Sequence, residues 1–405
     1  MAIAVLVCAA LLTGVSTAAA EDPPFVDWNS PLPGAPLHYQ PSKDADCVDG
    51  NPACVEQTLT EMYRRFDDQY ATCDHNAAFG ITYIRVTEAI RLAIQREVYE
   101  EPRWLGHQDR LFARMYFASY DAWKRGDRAH VPVAWQMAWD AGRDRSVSGL
   151  GNLLMSMNAH INRDMPYMLE STGLVKPDGS TRKPDHDRGN PILNTLYDDV
   201  IAELTARFDE TVDDYGVPGF AADDTALVQT LQGWREGVWR NAERLAQATT
   251  PDQRQQVSDS IESYALAQAR LIRQFTTTPS SVARDAHCLA YRRAHREKGG
   301  QATPAKAKKG QKLRRKGRVR LRVACPEKIR DCAGTVALMR GKRRLAAAKL
   351  PAIGPGGSRV VTLRLSKRTR KTIARRHKLT VRAVASSPSP WGTTRTAERR
   401  LKLKR

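Results

Sequence analysis

After its first twenty residues the chain has no further apolar run of membrane-spanning length. It has no Gly-x-Ser-x-Gly, P-loop, dinucleotide glycine fingerprint or His-Glu-x-x-His, so no serine hydrolase, nucleotide enzyme or zincin can be argued from motif. No Cys-x-x-Cys occurs, which disfavours metal binding by thiols. Strand-like alternation is missing before position 300. From Gln301 to Arg405 there are 33 Lys and Arg against 3 acidic residues, a net of +30. The rest of the chain holds 31 basic and 41 acidic residues, the balance of totals of 64 and 44. The basic pI therefore belongs to the tail. Trp391 is the tail's lone aromatic, which excludes a platform for stacking single-stranded bases and leaves no case for sequence-specific nucleic-acid recognition.

What is present begins with an apolar, uncharged residue 1–20 segment ending in Ala18-Ala19-Ala20, the pattern of a signal peptide without its basic start. Six cysteines follow: Cys47, Cys54, Cys73, Cys288, Cys325 and Cys332. An even count in an exported chain points to three disulfides, with fifteen connectivities open. The two short loops, Cys47–Cys54 and Cys325–Cys332, are favoured, which leaves Cys73–Cys288. Secretion or attachment to the cell envelope is the expected location.

Residues 21–53 read as an extended lead-in and 54–301 as an all-α bundle. Val55, Leu59, Met62, Tyr63 and Phe66 form one helical face, and Phe79, Tyr83, Val86, Ile90 and Ile94 another. Pro102 and Gly106 break the pattern, before a face through Leu111, Met115, Ala118 and Ala122. Gly173 is a natural helix C-cap. Asn190 reads as an N-cap with Pro191 at the first helical position. Residues 302–317 form a basic linker, and 318–405 alternate apolar with basic residues in six short strands around one helical turn at 367–376. That pattern fits a small, all-β, sandwich-like domain.

The stretch the bundle is organised around is Leu150 to Ser171. On a helix, Leu150, Leu153, Leu154, Met157, Ile161 and Met168 share an apolar stripe with His160 and Asp164, which are one turn apart. A carboxylate there is costly unless paired or metal-bound. Pro166 cannot donate to the Asn162 carbonyl and is expected to kink the helix. Here the sequence resembles a bacterial domain-of-unknown-function family, number 5995. The resemblance rests on NAHINRDMP (Asn158 to Pro166, with Asn162 and Arg163 inside it) and on RKPDHDR before Asn190. It implies a helical fold and brings no activity. The tail resembles β-rich modules appended to exported bacterial proteins.

Two readings of the site follow. In one, His160 and Asp164 are metal ligands completed by His186 and by Asp74 or His75, zinc being the natural ion, with Asp185 or Asp187 as base on a phosphoester or lipid substrate. The His-x-x-x-Asp pair is similar to part of the ligand set of all-α zinc phospholipases and nucleases, which however use more histidines. In the other, the chain is a non-enzymatic envelope-associated binding or structural protein, with the pair a satisfied hydrogen-bond network in its core or part of a metal-free ligand pocket. His38, His107 and His130 read as surface residues. The tail would hold the protein to anionic wall polymer or lipid headgroups.

Overall fold

The structure is a computed structural model that describes residues 32–212, 222–278, 280–306 and 311–404, the side chains of 222–228 excepted. Residues 1–31, which hold the expected signal segment and the start of the expected lead-in, fall outside them. The bundle comprises α1 (Pro52–Tyr70), α2 (Ala77–Gln95), α3 (Pro102–Lys124), α4 (Val133–Asp144), α5 (Gly149–Asn158), a π-helical turn (Ala159–Asp164), α6 (Met165–Thr172), α7 (Lys183–Asp187), α8 (Gly189–Arg207), α9 (Ala222–Gln247), α10 (Pro251–Thr276) and α11 (Val282–Ala294). Among the described residues no helix is long and apolar enough to cross a membrane. All three expected disulfides are formed, and Cys73–Cys288 ties the end of α1 to α11 across 215 residues.

The run α5–π–α6 is the axis of the bundle, contacted by α2, α3, α4, α9 and α10. At its end Gly173 takes φ +84°, the left-handed region expected of a C-cap glycine. The kink expected at Pro166 takes another form. Helix continues on both sides of a widened turn of six residues, Ala159–Asp164, just before the proline. A π turn shifts the hydrogen-bond register, so the missing N–H of Pro166 is absorbed without a break.

Other boundaries move too. Pro102 opens α3, and Gly106 lies within it because the lead-in crosses there: a Cβ would stand 3.1 Å from the Gly50 carbonyl oxygen. The buried face of α3 therefore runs through Leu105, Gln108, Ala113, Tyr116 and Tyr120, while Ala118 is exposed. Asn190 does not cap α8; it is buried one residue inside it and accepts from Arg235.

Behind the bundle come β1 (Glu297–Gly300), β2 (Thr303–Pro304), β3 (Gln311–Lys312), β4 (Arg318–Ala324), β5 (Arg330–Arg340), β6 (Arg343–Ile353), β7 (Ser358–Arg364), α12 (Lys367–Arg376), β8 (Lys378–Pro388) and β9 (Thr394–Lys404). β4 to β9 are the six strands legible in the sequence. The supposed linker is not simply solvated chain. β1 and β3 add parallel edges to the sheet β1-β5-β8-β9-β3, which also carries β6, and β2 joins the three-stranded sheet β2-β4-β7. The two sheets enclose a separate core around Val319, Leu338, Leu363, Val381 and Leu403.

The module docks on α1. Arg330 makes bonds of 2.7–2.9 Å to both oxygens of Asp67, both side chains being buried. Its guanidinium lies 4.6 Å from the Tyr63 ring centre, and Trp391 stacks on the other side of that contact, 5.3 Å from Tyr63. The tail's lone aromatic is thus a docking residue, donating to Glu56 as well. Burial pushes the Asp67 carboxyl up to about 6 even with Arg330 opposite. Removing Arg330 alone strands that carboxylate, so Arg330→Met is expected to cost about 3–5 kcal/mol at pH 7. The double variant Asp67→Asn, Arg330→Met should recover most of it in chemical denaturation. Equal losses in the single and double variants would show that the pair does not hold the modules together.

Candidate functional site

His160 and Asp164 do meet, but weakly and from inside the core. His160 Nδ1 lies 3.4 Å from Asp164 Oδ2, and the two residues are 3% and 1% exposed. That oxygen also accepts from Trp135 Nε1 at 2.8 Å, and Asp164 Oδ1 accepts from Arg163 at 2.9 Å. Arg163 is itself anchored on Glu262. The buried carboxylate is therefore compensated by donors on its own helix and on α4. Asn162 donates to Asn158, which donates to the Ala265 carbonyl, so these motif amides lock the π turn to α10.

Of the other candidate residues, Asp185 and His186 line one cavity with His160 but are committed to other partners, and Asp187, Asp74 and His75 lie elsewhere. His186 bonds the Arg235 carbonyl through Nε2 at 3.0 Å and packs on Trp239. Asp185 accepts from the backbone N–H groups of Glu100 and Glu101 and from Arg188, which caps the start of α3. Asp187 takes the Lys183 ammonium at 2.9 Å on both oxygens. Asp74 accepts from the Asn76 N–H, and His75 pairs with Asp285. Among the described residues, no three or more His, Cys, Asp and Glu side chains stand together as a metal site. The five expected ligands do not fit a zinc ion in this arrangement. His107, expected at the surface, is buried between Ser42 and the Asp46 carbonyl.

The face of His160 turned away from Asp164 opens on a cavity of about 150 Å³. Its wall is mainly apolar, built by α2 and α3 on one side and by the π turn, α6, α8 and α9 on the other. The imidazole is stacked flat on Phe112 at 3.4 Å between ring centres, which fixes its plane. Among the polar atoms on this wall, His160 Nε2, Asp109 Oδ2, Thr87 Oγ1, Tyr83 Oη and Tyr99 Oη are buried with no hydrogen-bond partner among the described residues. Leaving such groups unmet costs about 1–3 kcal/mol each. Five on one cavity wall make it the candidate site.

The electrostatics make two of them complementary. Burial lowers the His160 pKa, so the ring is neutral; with Nδ1 toward Asp164, Nε2 is the free acceptor. Burial pushes Asp109 up to about 7, offset only in part by Thr87 and Arg110, so near neutrality it holds a proton and can donate. Among the described residues, neither Ser nor Cys lines the cavity.

Residues 55–275 match a family of unknown function (DUF5995). The chain belongs to that family. No curated protein and no solved structure matches it significantly. The matched span contains the whole cavity, including Asp109 and Tyr99, which sequence reasoning passed over. Asp109 was hidden because the α3 face was read from Leu111 onward, one step out of register with Leu105, Asp109 and Phe112.

Two outcomes follow for the free protein. Tyr83→Phe and Tyr99→Phe each remove an unmet hydroxyl and should raise stability by about 1–3 kcal/mol in urea titrations; a loss of that size would show that these hydroxyls have partners. Asp109 binds its proton more tightly folded than unfolded, so stability should fall as pH rises from about 4 to 7. Asp109→Asn should flatten that slope, and an unchanged slope would remove Asp109 from the account.

Proposed function

We propose that this is an exported two-module protein whose helical bundle binds a small, mainly apolar molecule with a polar end, while the β module attaches it to anionic surfaces. The observation that carries the first part is the set of five unmet polar atoms, His160 Nε2 and Asp109 Oδ2 among them, on the wall of a mainly apolar cavity. Ligand sites have this composition: apolar lining with a few convergent polar groups. A dry cavity of comparable volume holds benzene, with its six heavy atoms, so the molecule is small, roughly six to ten heavy atoms. His160 accepts and Asp109 donates, which suits a hydroxyl or carbonyl. The same pair could relay a proton, but binding needs no more than is there. Three disulfides agree with an oxidising compartment.

For this reading, 1-octanol is a suitable neutral probe. It should raise the melting temperature of the full-length protein, and Leu193→Trp, which fills the cavity from α8, should abolish the rise while leaving the fold intact. An equal rise in the filled variant would place binding elsewhere.

The second part rests on cross-strand register. Lys378 stands opposite Lys404 and Arg382 opposite Arg400 on β8–β9, and Arg318 opposite Arg364 on β4–β7. Like charges directly opposed destabilise a sheet. Of these six side chains only Arg382 has an acidic partner, Glu398. A polyanion, wall polymer or lipid headgroup, would relieve the repulsion. Vesicles containing phosphatidylglycerol should bind the full-length protein at low salt and release it as salt rises, since exposed charges are screened over about 8 Å at physiological ionic strength. Binding that persists in molar salt would mean a specific pocket instead.

A further inference from the structure

At the α9 side of the cavity lies a buried cation without a carboxylate of its own. Arg235 is 8% exposed and lines the cavity beside Met165. Its Nε donates to Asn190 Oδ1 at 2.6 Å and one terminal nitrogen donates to the His186 carbonyl. The other, Nη1, has only the Met165 sulfur at 3.9 Å. All three acceptors are neutral. The nearest carboxylates are committed to other cations and donors: Asp187 to Lys183, and Asp185 to Arg188 and two backbone N–H groups. Among the described residues Arg235 makes no salt bridge.

A guanidinium does not lose its proton in a protein, so it cannot escape this burial by becoming neutral. A buried charge without its counter-charge costs several kcal/mol, and Arg is among the residues least often left that way. Tyr99 adds a second signal. Its hydroxyl is buried, unmet among the described residues and on the same cavity lining as Arg235. A guanidinium nitrogen and a phenolic O–H on one lining together make a two-point donor site for an anion, in the apolar chamber that His160 and Asp109 also line.

We propose that the ligand of this cavity is a small amphiphile with a carboxylate head, received by Arg235 Nη1 and the Tyr99 hydroxyl, and with an apolar body lying against Phe112 and Met157. A carboxylate takes one bond from Nη1 and one from the Tyr99 hydroxyl, and two charge-assisted bonds outweigh neutral ones. This inference rests on the cavity being a ligand site, and its test separates the two.

Octanoate and 1-octanol have the same chain and differ in the charge of the head at pH 7. Titrated calorimetrically into the full-length, disulfide-intact protein, octanoate should bind at least ten-fold tighter than 1-octanol. Arg235→Gln should remove that preference and leave 1-octanol affinity within about two-fold, since one bond to a charged group is worth roughly ten-fold or more. Arg235 also anchors Asn190 and His186, so Tyr99→Phe serves as a second variant that keeps the packing. It should lower octanoate affinity about three- to ten-fold and leave 1-octanol unchanged. Equal affinity of the wild type for both probes would overturn the carboxylate head while leaving the cavity a ligand site. Binding of neither would overturn the cavity reading, and this inference with it.

Discussion

A polar group at the centre of the bundle must find fixed partners, and the Asp164 side chain sets this constraint. It is met by Trp135 from α4, by Arg163 beside it in sequence and by the His160 ring. Each donor has its own anchor: Trp135 stacks on Trp139, Arg163 on Glu262, His160 on Phe112. The π turn places Arg163 and Asp164 so that both side chains reach α10 and α4 at once. His160 is then left with one ring nitrogen facing the core and one facing the cavity. A single buried polar side chain thus fixes the turn, the ring and the polar wall of the site.

That explains why the site was half legible in the sequence. The motif from Asn158 to Pro166 and the one-turn spacing of His160 and Asp164 were visible because they lie on one helix. The completing groups were not, because Asp109, Tyr99 and Arg235 come from elements far apart in the chain. Arg235 sits on α9 among other charged residues, and nothing local distinguishes a buried arginine from a solvated one. The loop residues Asp185, His186 and Asp187 looked like chemistry because they are dense and polar. Their density has a structural cause: a five-residue helix must cap α3, hold Lys183 and support α9 in very little space.

The modules show the same division. Period-two alternation made six strands and the all-β tail readable, and the cysteine spacing gave the disulfides. Residues 302–317 misled because Lys, Ala and Gly carry no strand signal; β2 and β3 exist there only through pairing with β4 and β9. Trp391 looked incidental in a basic tail and instead joins the modules over Tyr63. The interface includes a buried ion pair and an aromatic stack, joined by further polar contacts such as Arg207 to Glu297 and Lys328 to Asp68. The helical and strand cores are otherwise separate, so the bundle's cavity and the cationic sheet can serve different partners.

The central claim is that the cavity beside His160 takes a ligand through the polar atoms left unmet on its wall. The most direct measurement is the nitrogen NMR spectrum of the histidine side chains as octanoate is added, each of the nine histidines being assigned by substitution. The account predicts that His160 Nε2 shifts as the octanoate chain comes to lie against the Phe112 ring on which His160 stacks, that His186 moves slightly because its carbonyl holds Arg235, and that His38, His75, His107, His130, His287, His295 and His377 stay in place. A titration in which His160 does not move while octanoate binds, or in which the surface histidines move together, would contradict it.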